Sequence, residues 1–248
     1  MRSRIRRYIS LLSLFALLVA VLAAGCSSTQ RIDLSLDGAG TAAVQIRLSP
    51  FLVSYLQDLA ATVSGTAPSK DQPVFDLAAL REAFARYPDL TLLDAATPSI
   101  DTLTLTIRFS DASRLLSGVS GGGFINFSRN GAERTLSIRL DREAVGQLLQ
   151  LTPLSGSVAG NILLPPSDAA MSEKEYASYL AWALEDYTTG KNVEQTITDS
   201  SLDVAISVAG TLLSVSGGRR SGNSAQFSIP VVRLLTLQKP VIYSLTFR

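Results

Sequence analysis

The cysteine at position 26 is the residue with the most distinctive chemistry in this chain. It is the only cysteine among 248 residues, and the chain has no histidine. Ala23, Ala24 and Gly25 precede it directly. Such small residues leave an extended, uncluttered backbone that a processing protease can bind. The sequence therefore predicts a cleavage site after Gly25, next to the chain's single thiol.

The segment before Cys26 has the three parts of an export signal. Four arginines and no acidic residue lie within the first seven positions, and residues 8–21 are apolar apart from two serines. This apolar stretch is short for a bilayer span of about 20 residues but suits the core of a signal peptide. We therefore expect residues 1–25 to be a signal peptide. An uncleaved anchor helix with a chance cysteine is the alternative.

The segment Leu22-Ala23-Ala24-Gly25-Cys26 resembles the lipobox of bacterial lipoproteins, which are processed by the lipoprotein signal peptidase. The resemblance implies diacylglycerol on the Cys26 sulfur, cleavage between Gly25 and Cys26, and acylation of the new amine by a fatty acid such as palmitate. Two or three acyl chains, each methylene contributing about 0.8 kcal/mol, anchor a protein stably, so membrane lipids are the expected partner. The rest of the chain resembles uncharacterised envelope lipoproteins.

A serine motif later in the chain invites a catalytic interpretation. Residues 118–122 fit the G-x-S-x-G pattern of a nucleophile elbow, with Ser120 as the nucleophile. Such a serine needs a base to take its proton. The chain has no histidine, and no lysine follows a serine by three residues. We therefore interpret the motif as a flexible Gly/Ser segment before a strand.

Paired carboxylates are the other candidates for catalysis, because glycan hydrolysis uses two of them. The nearest pairs are Asp141 with Glu143 and Glu173 with Glu175. All four lie where we expect helices to begin, and a negative charge there complements the helix dipole. We therefore assign no catalytic residue and expect the protein not to be an enzyme.

Composition limits metals, cofactors and nucleic acid. With neither histidine nor a spare cysteine, transition metals lose their usual ligands, so we expect no metal and no cofactor. The first 25 residues hold four of the 22 basic residues and none of the 21 acidic ones, so the remainder has a net charge of −3. This charge does not favour a polyanion, and we expect no nucleic-acid partner.

Two surface features have the composition of a binding site. Arg47, Arg108 and Arg139 each stand at the same position of a similar strand. If these strands superpose in one sheet, the three side chains form a basic stripe on its outer face, suited to lipid phosphates or an acidic polymer. Cross-strand pairs with Asp33 and Asp203, which should share that face, are the alternative and would neutralise the stripe. Trp182, the only tryptophan, falls outside the apolar stripe of its helix. It marks either a binding surface or a second packing contact.

The elements that must position these residues follow a repeating pattern. Alternating strands end in the segments 46–49, 107–110 and 138–141, each preceded by a turn and a partner strand and followed by a residue suited to cap a helix. Asn130-Gly131 is the clearest hairpin turn. A looser copy spans 202–229, with a helix after Pro230 and a last strand at 241–247. Further helices should begin at Asp76 and at Ser172, where Glu175 completes a capping box.

These elements predict an α+β fold: an antiparallel sheet of repeated hairpin-helix (ββα) units, with the helices packed on one face of the sheet. We expect a signal peptide over 1–25, a lipidated N-terminus and short linker over 26–31, and a single globular domain over 32–248. A linker from Ser27 to Arg31 reaches at most ~18 Å, so the domain should stay close to the bilayer.

Together these features predict an envelope lipoprotein on the cell membrane or the outer membrane, with its domain outside the cytoplasm. We expect a non-enzymatic binding or structural module that contacts an envelope protein or the membrane surface. A carrier of a lipid or other apolar ligand, which needs an apolar cavity, remains an alternative. A carboxylate-based hydrolase of envelope glycans is the second.

Overall fold

The structure is a computed structural model that describes residues 27–64, 71–85, 89–112, 125–142, 145, 165, 171–188 and 192–248. Its strands are β1 (Ser27–Leu34), β2 (Gly40–Arg47), β3 (Leu90–Ser99), β4 (Thr102–Phe109), β5 (Ile125–Asn130), β6 (Glu133–Leu140), β7 (Ser201–Val208), β8 (Leu212–Ser216), β9 (Arg219–Ser221), β10 (Ser224–Pro230) and β11 (Val241–Phe247). Its helices are α1 (Pro50–Ser64), α2 (Leu77–Phe84), α3 (Glu173–Ala183), α4 (Val193–Thr198) and α5 (Val231–Thr236).

The strands of the described residues form two sheets. Sheet A has seven strands in the order β3-β4-β2-β1-β7-β10-β9, and sheet B has four in the order β5-β6-β11-β8. Strand β1 lies near the middle of sheet A and pairs parallel with β7, whereas the other pairs in both sheets are antiparallel. Sheet A therefore combines strands from the two ends of the chain.

This architecture contradicts the predicted fold class. The described residues are mostly β-structure in two sheets with few helices, not one antiparallel sheet of repeated ββα units with helices packed on one face. The local hairpins were recognised correctly, because β1–β2, β3–β4 and β5–β6 each pair as predicted. The error arose from non-local pairing: β1 joins β7, and β6 joins β11, across long stretches of chain.

Alternation along the strands explains which face of each sheet is buried. In β2, Val44 and Ile46 are buried while Gln45 and Arg47 are exposed. Since successive side chains point to opposite faces, one face of sheet A joins the core and the other meets solvent. Leu136 and Leu245 of sheet B belong to the same hydrophobic core. The two sheets thus share a continuous apolar interior.

Short-range signals place the helices. Asp76 accepts hydrogen bonds from the backbone N–H groups of Ala78 and Ala79, at 2.9 and 3.0 Å, and so caps α2. At α3, the Ser172 side chain accepts from the Glu175 N–H while the Glu175 carboxylate accepts from the Ser172 N–H. Both predicted helix starts are confirmed, as is the short helix after Pro230.

The chain crosses between the sheets at a tight turn after β7. Gly210 has a φ of +112°, and a methyl group at its Cα would overlap the carbonyl oxygen of Arg248. The neighbouring Thr211 exchanges two backbone hydrogen bonds with Arg248, at 2.7 and 3.0 Å. The end of β11 is therefore fastened to the point where the chain leaves sheet A for sheet B.

A second set of contacts joins the β1–β2 turn to sheet B. The guanidinium of Arg134 donates to the Leu36 carbonyl oxygen at 2.9 Å, and that of Arg129 donates to the Asp37 carbonyl oxygen. A Cβ at Gly38 would lie 3.0 Å from the ring of Phe127. Two arginines and a ring thus hold this turn against the β5–β6 hairpin.

Candidate functional site

The strand that follows Cys26 begins at once. Residues 27–31, expected as a linker, are the first part of β1 in the structure, paired with β2 on one side and β7 on the other. Gly25 and Cys26 themselves, and Ser120, lie outside the described residues. Residues 27–31 are therefore paired strand rather than free linker, and the predicted lipidation site at Cys26 directly precedes a central strand.

The strand ends that surround this point form what we call the Ser27 end of sheet A. Ser27 pairs with Arg47, and Arg47 pairs with Thr102. On the other side, β7 begins at Ser201, which pairs with Pro230 at the end of β10. We call the opposite end of the strands, where β1 finishes, the Leu34 end. These two ends differ in what they expose.

The turn between β3 and β4 forms the tip of a hairpin at the Ser27 end. Its carboxylate, Asp101, accepts hydrogen bonds from the hydroxyls of Ser99 and Thr102 and forms an ion pair with Arg47 at 3.3 Å. The hydrogen bond from Ser99 is the main reason that the pKa of Asp101 lies below its ordinary value. Asp101 therefore stays ionised and orders the turn, while the neighbouring Ile100 is 37% exposed.

Ser28 is unusual at the same end. It is 0% exposed, and no hydrogen-bond partner of its hydroxyl is present among the described residues. The hydroxyl of Tyr55 is also buried and has no hydrogen-bond partner among the described residues. Burial raises the pKa of this phenol. The second residue after the predicted anchor is thus packed into the protein interior, within a strand whose neighbouring residues Ser27 and Thr29 are exposed.

The three arginines of the predicted basic stripe do not lie together. Arg47 and Arg108 belong to sheet A, but six residues separate their rows on β4, which is about 20 Å at the spacing of extended residues. Arg139 lies on β6 of sheet B, where it forms an ion pair with Asp141 at 3.3 Å. Superposition of the three strands in one sheet was the wrong assumption.

Trp182 lies on α3 with 66% of its surface exposed. Its ring centroid is 6.2 Å from that of Tyr179, which in turn stacks 6.4 Å from the buried Tyr176. The three rings make a short ladder from the core to the surface. Trp182 is accessible to a partner, but nothing about the ladder selects a ligand class.

Two surface grooves contain the remaining features of interest. One, of about 410 Å³, runs between α2 and β3 and includes Arg81 and Asp94. The other, of about 360 Å³, lies at the Leu34 end and includes Arg108 and Asp89. Each has one acidic residue among its described lining, so neither presents the converging acid pair that a glycan hydrolase requires.

The carboxylates with perturbed acidity have structural partners. The Ser35 hydroxyl lowers the pKa of Asp37, and the backbone N–H of Ser172 lowers that of Glu175. A general acid needs the opposite shift, since it must hold a proton near neutral pH. In the described ranges, no group of three or more acidic or cysteine side chains is arranged to hold a metal ion.

Sequence reasoning missed the most informative part of this site. It predicted a turn before the strand that ends at 107–110, but not the exposed Ile100 at the tip of that turn or the network around Asp101. The signal was local: a serine and a threonine on either side of an aspartate suit side-chain hydrogen bonding within a turn. That this turn lies two strands from Ser27 depends on long-range pairing.

Comparisons with known proteins give little. No model of a protein family matches the chain, and no curated protein does. The chain is similar to the NMR structure of the folded domain of Mycobacterium tuberculosis LppM, with 14% identity and a TM-score of 0.40, over 91% of this chain and 90% of that one. A likeness of this size is weak and assigns no function. None of the helices described here is long and apolar enough to cross a membrane.

Proposed function

We propose that this protein is a bacterial envelope lipoprotein whose folded domain is held at a membrane surface by lipid on Cys26, and that it acts there as a non-enzymatic binding or structural module. Residues 1–25 are then a signal peptide, and cleavage between Gly25 and Cys26 exposes the lipidated terminus. The domain lies outside the cytoplasm. The membrane that holds it is the cell membrane or the outer membrane.

The observation that carries this proposal is the position of β1. The lipobox-like segment ends at Cys26, and the next residue, Ser27, already belongs to strand β1. Cleavage before Cys26 therefore removes none of the described residues of sheet A. The new N-terminus would then directly precede a central strand, which places the domain close to a lipid anchor.

A binding role is favoured over catalysis by the acidic residues. Asp37, Asp101 and Glu175 accept hydrogen bonds from neighbouring groups and have lowered pKa values, which suits structural roles. The two grooves also lack a described pair of acids. The exposed Trp182 and the outer face of sheet A offer surface for a partner of the envelope.

The test replaces the only thiol. In a bacterial host fed with labelled fatty acid, Cys26→Ser should retain residues 1–25 and carry no label, because the sulfur that accepts the lipid is absent. Intact-mass measurement and label incorporation report the two effects separately. The wild type should be shortened by 25 residues and should gain the mass of diacylglycerol.

The matched control is Ser27→Ala, which changes the adjacent exposed residue and leaves the thiol in place. It should be processed and lipidated as the wild type. The lipoprotein assignment is wrong if Cys26→Ser is still cleaved after Gly25 and still carries labelled fatty acid.

A further inference from the structure

We propose that the domain contacts the bilayer through the Ser27 end of sheet A, with Ile100 and the β3–β4 turn at the lipid headgroups, while the Leu34 end points away. This inference rests on the proposed lipid anchor. It adds which surface of the domain meets the membrane.

Chain length sets the geometry. Cys26 and Ser27 are consecutive, so their Cα atoms lie only about 3.8 Å apart, and Ser27 is already fixed in a strand. The Ile100 turn begins β4, two strands from β1, or about 10 Å to the side at the usual strand spacing. Leu34 is seven residues along β1, about 23 Å away. The anchor thus fixes which end is near the lipid.

The turn is ordered by contacts from three directions. The Ile100 carbonyl oxygen accepts from the Val74 N–H at 3.2 Å, and the Asp101 carbonyl oxygen accepts from the Leu48 N–H at 2.9 Å. The Asp101 side chain adds its bonds to Ser99 and Arg47. These two carbonyl oxygens are therefore satisfied within the protein, so the turn can approach an apolar medium without leaving them unpaired.

The surface around Ile100 suits an interfacial contact. Exposed prolines stand at positions 50, 73 and 98, each close in the chain to Leu48, Val74 or Ser99 of this hydrogen-bonded turn. Proline presents an apolar ring and has no N–H that needs a partner. We infer that Ile100 and these three proline rings make up a small apolar rim at the end of the sheet that adjoins the proposed lipid anchor.

The described charges near this turn do not make a basic patch. Arg47 and Asp101 pair with each other, and the exposed Asp71, two residues before Pro73, is acidic. The contact therefore gains little from anionic lipid and should form equally well on zwitterionic membranes. In this respect the proposal differs from the basic stripe predicted from the sequence. The stripe would bind anionic groups such as lipid phosphates through arginine side chains and would need no apolar rim.

The single cysteine allows a direct test. Because lipid occupies Cys26, a cysteine introduced elsewhere is the only free thiol of the lipidated protein. Spin labels placed by Ile100→Cys and Leu36→Cys compare two exposed apolar positions at opposite ends of β1, 37% and 42% exposed in the wild type. Pro73→Cys gives a second position on the rim. The lipidated variants are inserted into vesicles of phosphatidylcholine, with or without phosphatidylglycerol.

A relaxation agent confined to the bilayer should act several-fold more strongly on the labels at positions 100 and 73 than at position 36, and a water-soluble agent should show the reverse. Phosphatidylglycerol should not change the ratio. Equal accessibility at both ends, or greater bilayer contact at position 36, overturns this inference alone. If mass measurement finds no diacylglycerol on Cys26, the proposed function fails as well.

Discussion

At the scale of single residues, the hydroxyl of Ser28 is the clearest departure from a well-satisfied interior. The side chain is fully buried, two positions beyond Cys26, and its oxygen has no described partner. A buried polar group without a hydrogen bond costs about 1–3 kcal/mol relative to one that is satisfied. The cost falls on the strand that would bear the lipid anchor.

Ser28→Ala should therefore leave the free energy of unfolding unchanged or raise it by up to about 1 kcal/mol, because it removes an unsatisfied group and little volume. Denaturant titration of the purified protein measures the difference. The control is Ser200→Ala: Ser200 is 6% exposed, but its hydroxyl donates to the Thr196 carbonyl oxygen at 2.7 Å. That change should lower stability by about 1 kcal/mol. Equal losses in both variants would show that Ser28 is hydrogen-bonded.

At the scale of elements, the first turn of α3 depends on a reciprocal pair of hydrogen bonds. The Ser172 hydroxyl and the Glu175 carboxylate each accept a backbone N–H that the helix leaves free. The hydrogen bond from the Ser172 N–H favours the ionised carboxylate, so the pKa of Glu175 lies below its ordinary 4.5. A group with a lowered pKa stabilises the fold above its ordinary pKa, and this contribution disappears as the pH falls through the lowered value.

Ser172→Ala should lower the free energy of unfolding by about 1 kcal/mol, the usual effect of losing a helix cap. Glu175→Gln keeps a side-chain oxygen that can accept the Ser172 N–H but cannot be protonated in this pH range. The variant should therefore lose less stability than the wild type when the pH falls below 4.5. Unfolding curves between pH 3 and 7, a range of about four units around the ordinary carboxyl pKa, measure both. Lys174→Ala, an exposed change in the same turn, should have neither effect. Equal acid sensitivity in wild type and Glu175→Gln would refute the role given to Glu175.

The caps also show what could be predicted from sequence. The caps and the clearest hairpin turn depend on residues a few positions apart, so they can be recognised from the sequence alone. They are Ser172 with Glu175, Asp76, and Asn130-Gly131. The sheet to which a strand belongs is not such a property. Arg139 follows the same local pattern as Arg47, yet its strand pairs with β11 rather than β2.

The candidate site likewise has features that the sequence predicts locally and features that depend on long-range strand pairing. The thiol, the small residues before it and the apolar segment are local signals, and they supply the whole lipoprotein prediction. Ile100 gains its proposed role only because β4 pairs with β2, and β2 with β1. No spacing along the chain reveals that arrangement. The proposed orientation toward the membrane therefore depends on strand pairing that the sequence left undefined.

At the scale of the whole molecule, the crossing at Gly210 connects the two sheets. Its positive φ disfavours any side chain, and the Arg248 backbone fills the space where a Cβ would stand. A substitution there must strain the turn and also push the end of β11 away from Thr211. The relation between the sheets depends on this close backbone contact.

Gly210→Ala should lower the free energy of unfolding by more than about 2 kcal/mol, since it adds a backbone clash to the cost of about 1 kcal/mol for a left-handed alanine. The control is Gly222→Ala, because Gly222 has a φ of +59° but nothing within 4 Å of a Cβ. Gly222→Ala should lower the free energy of unfolding only by the cost of the left-handed backbone conformation. Thermal and denaturant unfolding of the two variants give the comparison. Similar losses would mean that the Arg248 contact does not hold the sheets together.

The parallel pairing of β1 with β7 also bears on the order in which the chain can fold. Strand β2 is available to β1 almost immediately, but the other edge of β1 stays open until residues 201–208 have been made. Contacts so distant in sequence are formed slowly, because a long loop must close before they contribute. If Cys26 carries the proposed lipid, the residue next to the anchor begins the strand that is among the last to be enclosed. A chain tethered at Cys26 would therefore complete its central sheet beside the lipid, with an unpaired strand edge exposed there in the meantime.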